Sequence, residues 1–171
     1  MSNTNSATPK VYVSTYQTYN NGSLEGQWID LDDFDTKEDF YEHLSKLNCK
    51  IWKEDDPEYM FQDYENYPEE YYSESGMEED VFRFIQEVDD EEKDMFIAFL
   101  DNWGFSDFDE CFQQFVDRKT GYDNWEDFAY EYAEQQFDKN FIESGYFNFD
   151  RYESDLKMEH TMLAGQIFRD Y

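Results

Sequence analysis

A chain carrying thirty more negative than positive charges repels itself, and that opposes compaction before any other feature is weighed. Forty-three acidic residues stand against thirteen basic ones here, for a net charge of −30 over 171 residues. Between Lys53 and Arg83 there are twelve carboxylates and no basic residue. With a mean hydropathy of −1.01, charge and polarity alone predict disorder. The aromatic content argues the other way. Phe, Tyr and Trp make up 21% of the chain, and each such side chain buries a large area when it packs. The sequence therefore predicts an ordered protein with an aromatic core and an acidic coat.

That coat limits the partners. Nucleic-acid binding needs cationic contacts to phosphate. A surface at −30 repels DNA and anionic membranes and attracts basic clefts, of which the commonest large ones are built to hold DNA or RNA. No apolar run is long enough to cross a bilayer. The start "MSNTNSATPK" has no apolar stretch of the secretory kind. Cys49 and Cys111 match no C-x-x-C pattern and read as reduced thiols of a cytoplasmic protein.

The pattern along the chain is mixed α+β, and it predicts an elongated chain of three small domains. Residues 1–9 read as a flexible tail. Residues 10–60 read as an N-terminal α+β domain. In it "KVYVSTY" and "LEGQWIDL" are expected as paired strands around the turn "NNGS", with Gly26 marking a bulge. A helix is expected after the capping box of Thr36 and Asp39, and "KIWKED" is expected as a third strand. Residues 61–105 read as a central helical domain, opened by a capping box of Ser75 and Glu78 and closed at Gly104. Residues 106–171 read as a C-terminal α+β domain. It holds a short helix capped by Ser106, a helix capped by Asn124, a short helix in "FNFDRYESDL" and a final strand in "GQIFRDY".

Catalytic chemistry is not legible. His43 and His160 are far apart and read as surface or packing residues. There is no H-E-x-x-H, no phosphate loop and no G-x-S-x-G. The run from Asp30 starts like a calcium loop but has Phe34 at its fifth position, Asp35 at its sixth and Tyr41 at its twelfth. No catalytic residue, metal site or cofactor is assigned. What remains is the charge itself. Ordinary solubility needs a net charge of only about 2–8 for a small domain. Duplex DNA carries one charge per roughly 1.7 Å of axis, so thirty charges equal about 50 Å of duplex. The expectation is a display of carboxylates at phosphate-like density.

The segments "VYVSTYQTYNNGSLEGQWIDL", "FQDYENYP", "FVDRKTGYDNWEDFAYEYAEQ", "FNFDRYESDL" and "GQIFRD" stand in the order seen in ArdA-type antirestriction proteins, and the chain resembles that family over roughly residues 11 to 169. The most specific parts are Tyr19, Asn20, Gly22, Gly26 and Trp28, and the tripeptide Asp63-Tyr64-Glu65. Phe61-Gln62 stands before the tripeptide where Ile-His is more familiar. The resemblance implies an elongated, commonly dimeric, non-enzymatic DNA mimic carried by plasmids and conjugative transposons. Its implied partner is the specificity and methyltransferase core of a type I restriction–modification enzyme, whose DNA groove it fills. The candidate mimic surface is then Asp63, Glu65, Glu69, Glu70, Glu74, Glu78, Glu79, Asp80, Asp107, Asp109, Glu110, Glu126, Asp127, Glu131 and Glu134. Trp28, Tyr64 and Phe128 are assigned to packing. The alternatives are an acidic mimic or chaperone of another basic nucleic-acid-binding protein, such as a nucleoid protein or repressor, and a carboxylate metalloenzyme.

Overall fold

The computed structural model describes residues 7–171, so the expected tail falls largely outside the described residues. The chain divides into two compact units, with the division after Phe108.

The first unit opens with strand β1 (Lys10–Thr15), whose Val11 and Val13 are fully buried. β1 is the middle strand of a three-stranded antiparallel sheet, between β2 (Gln27–Asp30) and β3 (Tyr59–Glu65). Thr15 ends β1 and caps a short helix α1 (Tyr16–Asn20), its hydroxyl accepting from Thr18 N–H. The returning strand is shorter than expected, because Leu24–Gly26 runs outside the ladder. The bulge is not at Gly26 either. Val13 pairs with Phe61 and Tyr12 with Asp63, so the extra residue is Gln62 on β3. Gly26 has a different reason: a Cβ there would lie 2.6 Å from the Tyr12 ring and from the Val13 carbonyl, so only glycine lets the chain pass so close.

Helix α2 (Lys37–Lys50) starts as expected, with the Thr36 hydroxyl accepting from Asp39 N–H at 3.1 Å, and buries Phe40, Leu44 and Leu47. "KIWKED" is not a strand. Lys50 ends α2, and the buried Asn48 side chain bonds both the N–H and the carbonyl of Glu54, folding the segment into a turn. The third strand is β3, later in the chain. Helix α3 (Glu79–Glu87) lacks the expected capping box: Glu78 is its N-cap residue and makes no side-chain cap. The entry is held instead by Tyr41, whose hydroxyl accepts from Met77 N–H at 3.1 Å, and by burial of Met77. Helix α4 (Lys93–Trp103) ends at Gly104. The core of this unit is a run of phenylalanines. Phe40 packs on Phe61 of β3 and Phe82 of α3, with ring centroids 6.1 and 6.0 Å apart. Phe96 of α4 packs between Phe84 and Phe108 at 5.6 and 5.8 Å.

Helix α5 (Phe108–Arg118) begins at the division and buries Cys111 and Phe115. In the second unit, α6 (Trp125–Gln136) is capped as expected by Asn124, whose side chain accepts from Asp127 N–H at 2.8 Å. Then come α7 (Lys139–Glu143), α8 (Phe149–Leu156) and a hairpin of β4 (His160–Leu163) and β5 (Gln166–Arg169). β4 was not expected. Its turn, Ala164-Gly165, has φ of 46° and 80°, the two-residue primed geometry that Asn-Gly signals far better than Ala-Gly. Phe128, Ala129, Leu156 and Ile167 form the core here. No described helix is long and apolar enough to cross a membrane.

Phe40 joins sheet to helices, so Phe40→Ala should lower unfolding free energy by about 3–5 kcal/mol. Urea denaturation followed by circular dichroism checks this, and a loss under about 1 kcal/mol would show that the rings do not carry the unit.

Candidate functional site

The acidic stretch after Lys53 is anchored through its backbone and its tyrosines. β3 is an edge strand, and the chain beyond it folds back along it. Phe61 N–H donates to Glu74 O at 2.8 Å, and the Tyr72 hydroxyl donates to Phe61 O at 2.6 Å. Tyr67, Pro68, Tyr71 and Met77 are buried, while Glu69, Glu70, Glu74, Glu78 and Glu79 are exposed. Tyr64 stacks on Tyr72 with centroids 4.5 Å apart and lies 5.0 Å from Tyr67. Apolar anchors and carboxylates alternate, so the charges sit on an ordered backbone.

The other candidate carboxylates have distinct local settings. Asp63 and Glu65 are exposed on β3, and Glu65 pairs with Lys10 at 2.9 Å. Glu74 accepts from the Tyr16 hydroxyl at 3.1 Å. Glu79 and Asp80 form the first turn of α3, where the helix dipole favours negative charge, and Asp80 is half-buried. Asp107 precedes α5, and Asp109 and Glu110 lie in its first turn; all three are exposed. Glu126, Asp127, Glu131 and Glu134 line the exposed side of α6 opposite Phe128, Ala129 and Ala133. Glu131 helps hold the Tyr122 pKa above its ordinary value, and Glu134 lies 3.6 Å from Lys139. The candidates thus fall into separate groups in the two units.

Other acids were missed. Asp101 of α4 acts on Tyr64 together with Glu69 and Glu70, so it belongs with the β3 group. Asp32 is pushed above the usual carboxylate range, chiefly by burial, with Lys93 opposing and Asp90, Asp30 and Asp33 adding to the rise. Lys93 is almost fully buried and pairs with Asp90 at 2.6 Å. The "DLDDFD" run was a visible signal for this second group, but its failure as a calcium loop hid it.

Five of the thirteen basic side chains lie over aromatic rings. Lys10 lies over Trp28 at 4.8 Å, Arg83 over Phe108 at 4.4 Å, Lys93 over Phe84 at 6.0 Å, Lys119 over Phe115 at 5.0 Å and Lys157 over Trp125 at 5.3 Å. Rings hold these charges through their quadrupoles, while Lys46, Lys50, Lys53, Lys139, Arg151 and Arg169 stay exposed. The histidines serve packing. His43 lies edge-on to Phe34, and buried His160 lies between Phe128 and Tyr132, with Nδ1 2.9 Å from Leu156 O. Among the described residues no group of three His, Cys, Asp or Glu is arranged to hold a metal.

A family model described as antirestriction protein (ArdA) matches residues 11–167. The chain belongs to the ArdA antirestriction family. A search of curated proteins gives no match. The match takes in both units of the fold, and with them every carboxylate of the candidate surface. Of the three residues assigned to packing, Phe128 is buried and Tyr64 is stacked. Trp28 lies on the outer face of the sheet, edge-on to Tyr12 at 5.5 Å, and keeps 37% of its surface exposed.

Tyr64, Tyr67 and Tyr72 are all held above the ordinary tyrosine pKa, first by burial and then by neighbouring acids and tyrosines. A raised folded-state pKa stabilises the fold fully below the unfolded value of about 10, and that stabilisation is lost as pH climbs past it. Tyrosinate absorbance and circular dichroism, followed together, should show this cluster ionising only as structure is lost. Tyr67→Phe should move that loss to higher pH. Complete ionisation near pH 10 with unchanged structure would contradict the anchoring.

Proposed function

We propose that this antirestriction protein acts as a DNA mimic. Its carboxylates occupy the DNA-binding groove of a type I restriction–modification enzyme, contacting the specificity and methyltransferase core. The supporting observation is the ordered acidic track after β3, where buried tyrosines hold five exposed glutamates on a backbone bonded to the sheet edge. A backbone already ordered needs no folding on binding, so less of the attraction is lost to entropy. The family and the net charge of −30 both fit a basic groove as partner. The protein then works as an inhibitor without catalysis in the cytoplasm of a cell receiving a plasmid or conjugative transposon. It works as a homodimer, with the stretches 10–60, 61–105 and 106–171 strung in a line.

Binding to a purified type I methyltransferase core should be mutually exclusive with its cognate duplex and should weaken steeply with added salt, as DNA binding does. Glu70→Gln alone should change affinity by less than about fivefold, the scale of one exposed ion pair. Changing Glu69, Glu70, Glu74, Glu78 and Glu79 together to Gln should weaken binding cumulatively and flatten the salt dependence by up to about five in log–log slope. One substitution that abolished binding with the fold intact would replace the mimic with a local site. Capture of a nucleoid protein or repressor in place of the core would redirect the reading.

A further inference from the structure

The two most specific sequence patterns of this chain meet at one place. Trp28 ends the first and Asp63 begins the second, and both pair with Tyr12 of β1 from opposite sides. Side chains of directly paired residues share one face of a sheet. That face is the outer one, because Val11 and Val13 occupy the other and are fully buried. An open cleft of about 360 Å³ lies here, lined by Tyr12, Leu24, Trp28, Gln62 and Asp63.

The cleft is built by features with no other evident use. Glycine at position 26 lets the chain press on the Tyr12 ring. The Tyr12 hydroxyl donates to Leu24 O at 3.0 Å, and the Ser14 hydroxyl donates to Glu25 O at 2.7 Å, pinning the Leu24 wall. Leu24 is nonetheless 74% exposed. The extra residue Gln62 puts Asp63 beside Tyr12, where its Oδ1 accepts from Tyr64 N–H at 2.9 Å and is fixed. Asp63 has no basic partner among the described residues, unlike Glu65, which holds Lys10.

An aromatic and aliphatic lining with one fixed, unneutralised carboxylate is the chemistry that receives a planar cation. The chain already demonstrates the principle nearby, since Lys10 lies over Trp28 while pairing with Glu65. We propose that this cleft takes one arginine side chain of the basic partner, its guanidinium against Trp28 and Tyr12 and its charge on Asp63. This rests on the reading of a basic groove as partner, and adds a discrete anchor to the spread carboxylates.

The full-length protein is titrated with N-acetyl-arginine amide, with N-acetyl-citrulline amide as the neutral isostere, following the Trp28 indole N–H by NMR. The arginine probe should shift that signal saturably and the citrulline probe should not. Asp63→Asn should weaken the arginine effect about fivefold or more, and Glu42→Gln, on the exposed side of α2, should leave it unchanged. Circular dichroism of each variant secures the fold. Equal response to both probes, no saturation, or an unaltered response in Asp63→Asn overturns the cleft. In parallel, inhibition of a type I enzyme by the unaltered protein is measured. If inhibition stands while the arginine probe fails, only the cleft is rejected. If inhibition is absent, the mimic reading fails whatever the probe does.

Discussion

Packing of phenylalanine rings is the interaction on which the rest of this protein depends. Like charges at a net of −30 push the chain apart, and only buried apolar area is available to oppose them. Phe40, Phe61, Phe82, Phe84, Phe96, Phe99 and Phe108 are all fully buried in the first unit, and Phe115 and Phe168 in the second. Rings suit this task because each buries a large area with few rotatable bonds and can pack edge to face. Few aliphatic side chains could match that within so short a chain.

The same rings settle where the positive charge goes. Five of the basic side chains lie over aromatic faces. Four of these, Lys10, Arg83, Lys93 and Lys157, also pair with a carboxylate, so ring and acid share each charge. An aromatic core and a one-signed coat are therefore linked parts of one solution. Tyrosine extends the solution to the border between the two. Tyr67 and Tyr71 sink into the fold between exposed glutamates, and Tyr16 gives its hydroxyl to Glu74.

Separate, ordered groups of carboxylates fit a partner that is itself an extended basic surface. Spreading the binding energy over many weak contacts gives fast, salt-sensitive association. It gives little geometric register by itself. A fixed cleft such as that between Trp28 and Asp63 would supply one, which gives a physical reason for a half-exposed tryptophan on an acidic protein.

The sequence alone determined that the chain folds around aromatics, carries an acidic coat, mixes helix and strand, and lacks the patterns of familiar catalytic sites. These follow from composition and from local signals such as Thr36 and Asn124 at helix starts, which act within a few residues. Helices at 37–50 and 125–136 were legible because capping and period-3.6 burial agree there. Three things were decided only by tertiary structure. The third strand is 59–65 rather than 50–55, because pairing with β1 rewards the former and the Asn48 turn removes the latter. Hairpin strand β4 exists only because β5 pairs with it. The electrostatic grouping of Asp32 with Asp90 and of Asp101 with Glu69 and Glu70, and the meeting of Trp28 with Asp63, depend on residues distant in sequence coming near each other. Local propensity carries no information about such contacts, and it is they that turn a count of charges into a surface.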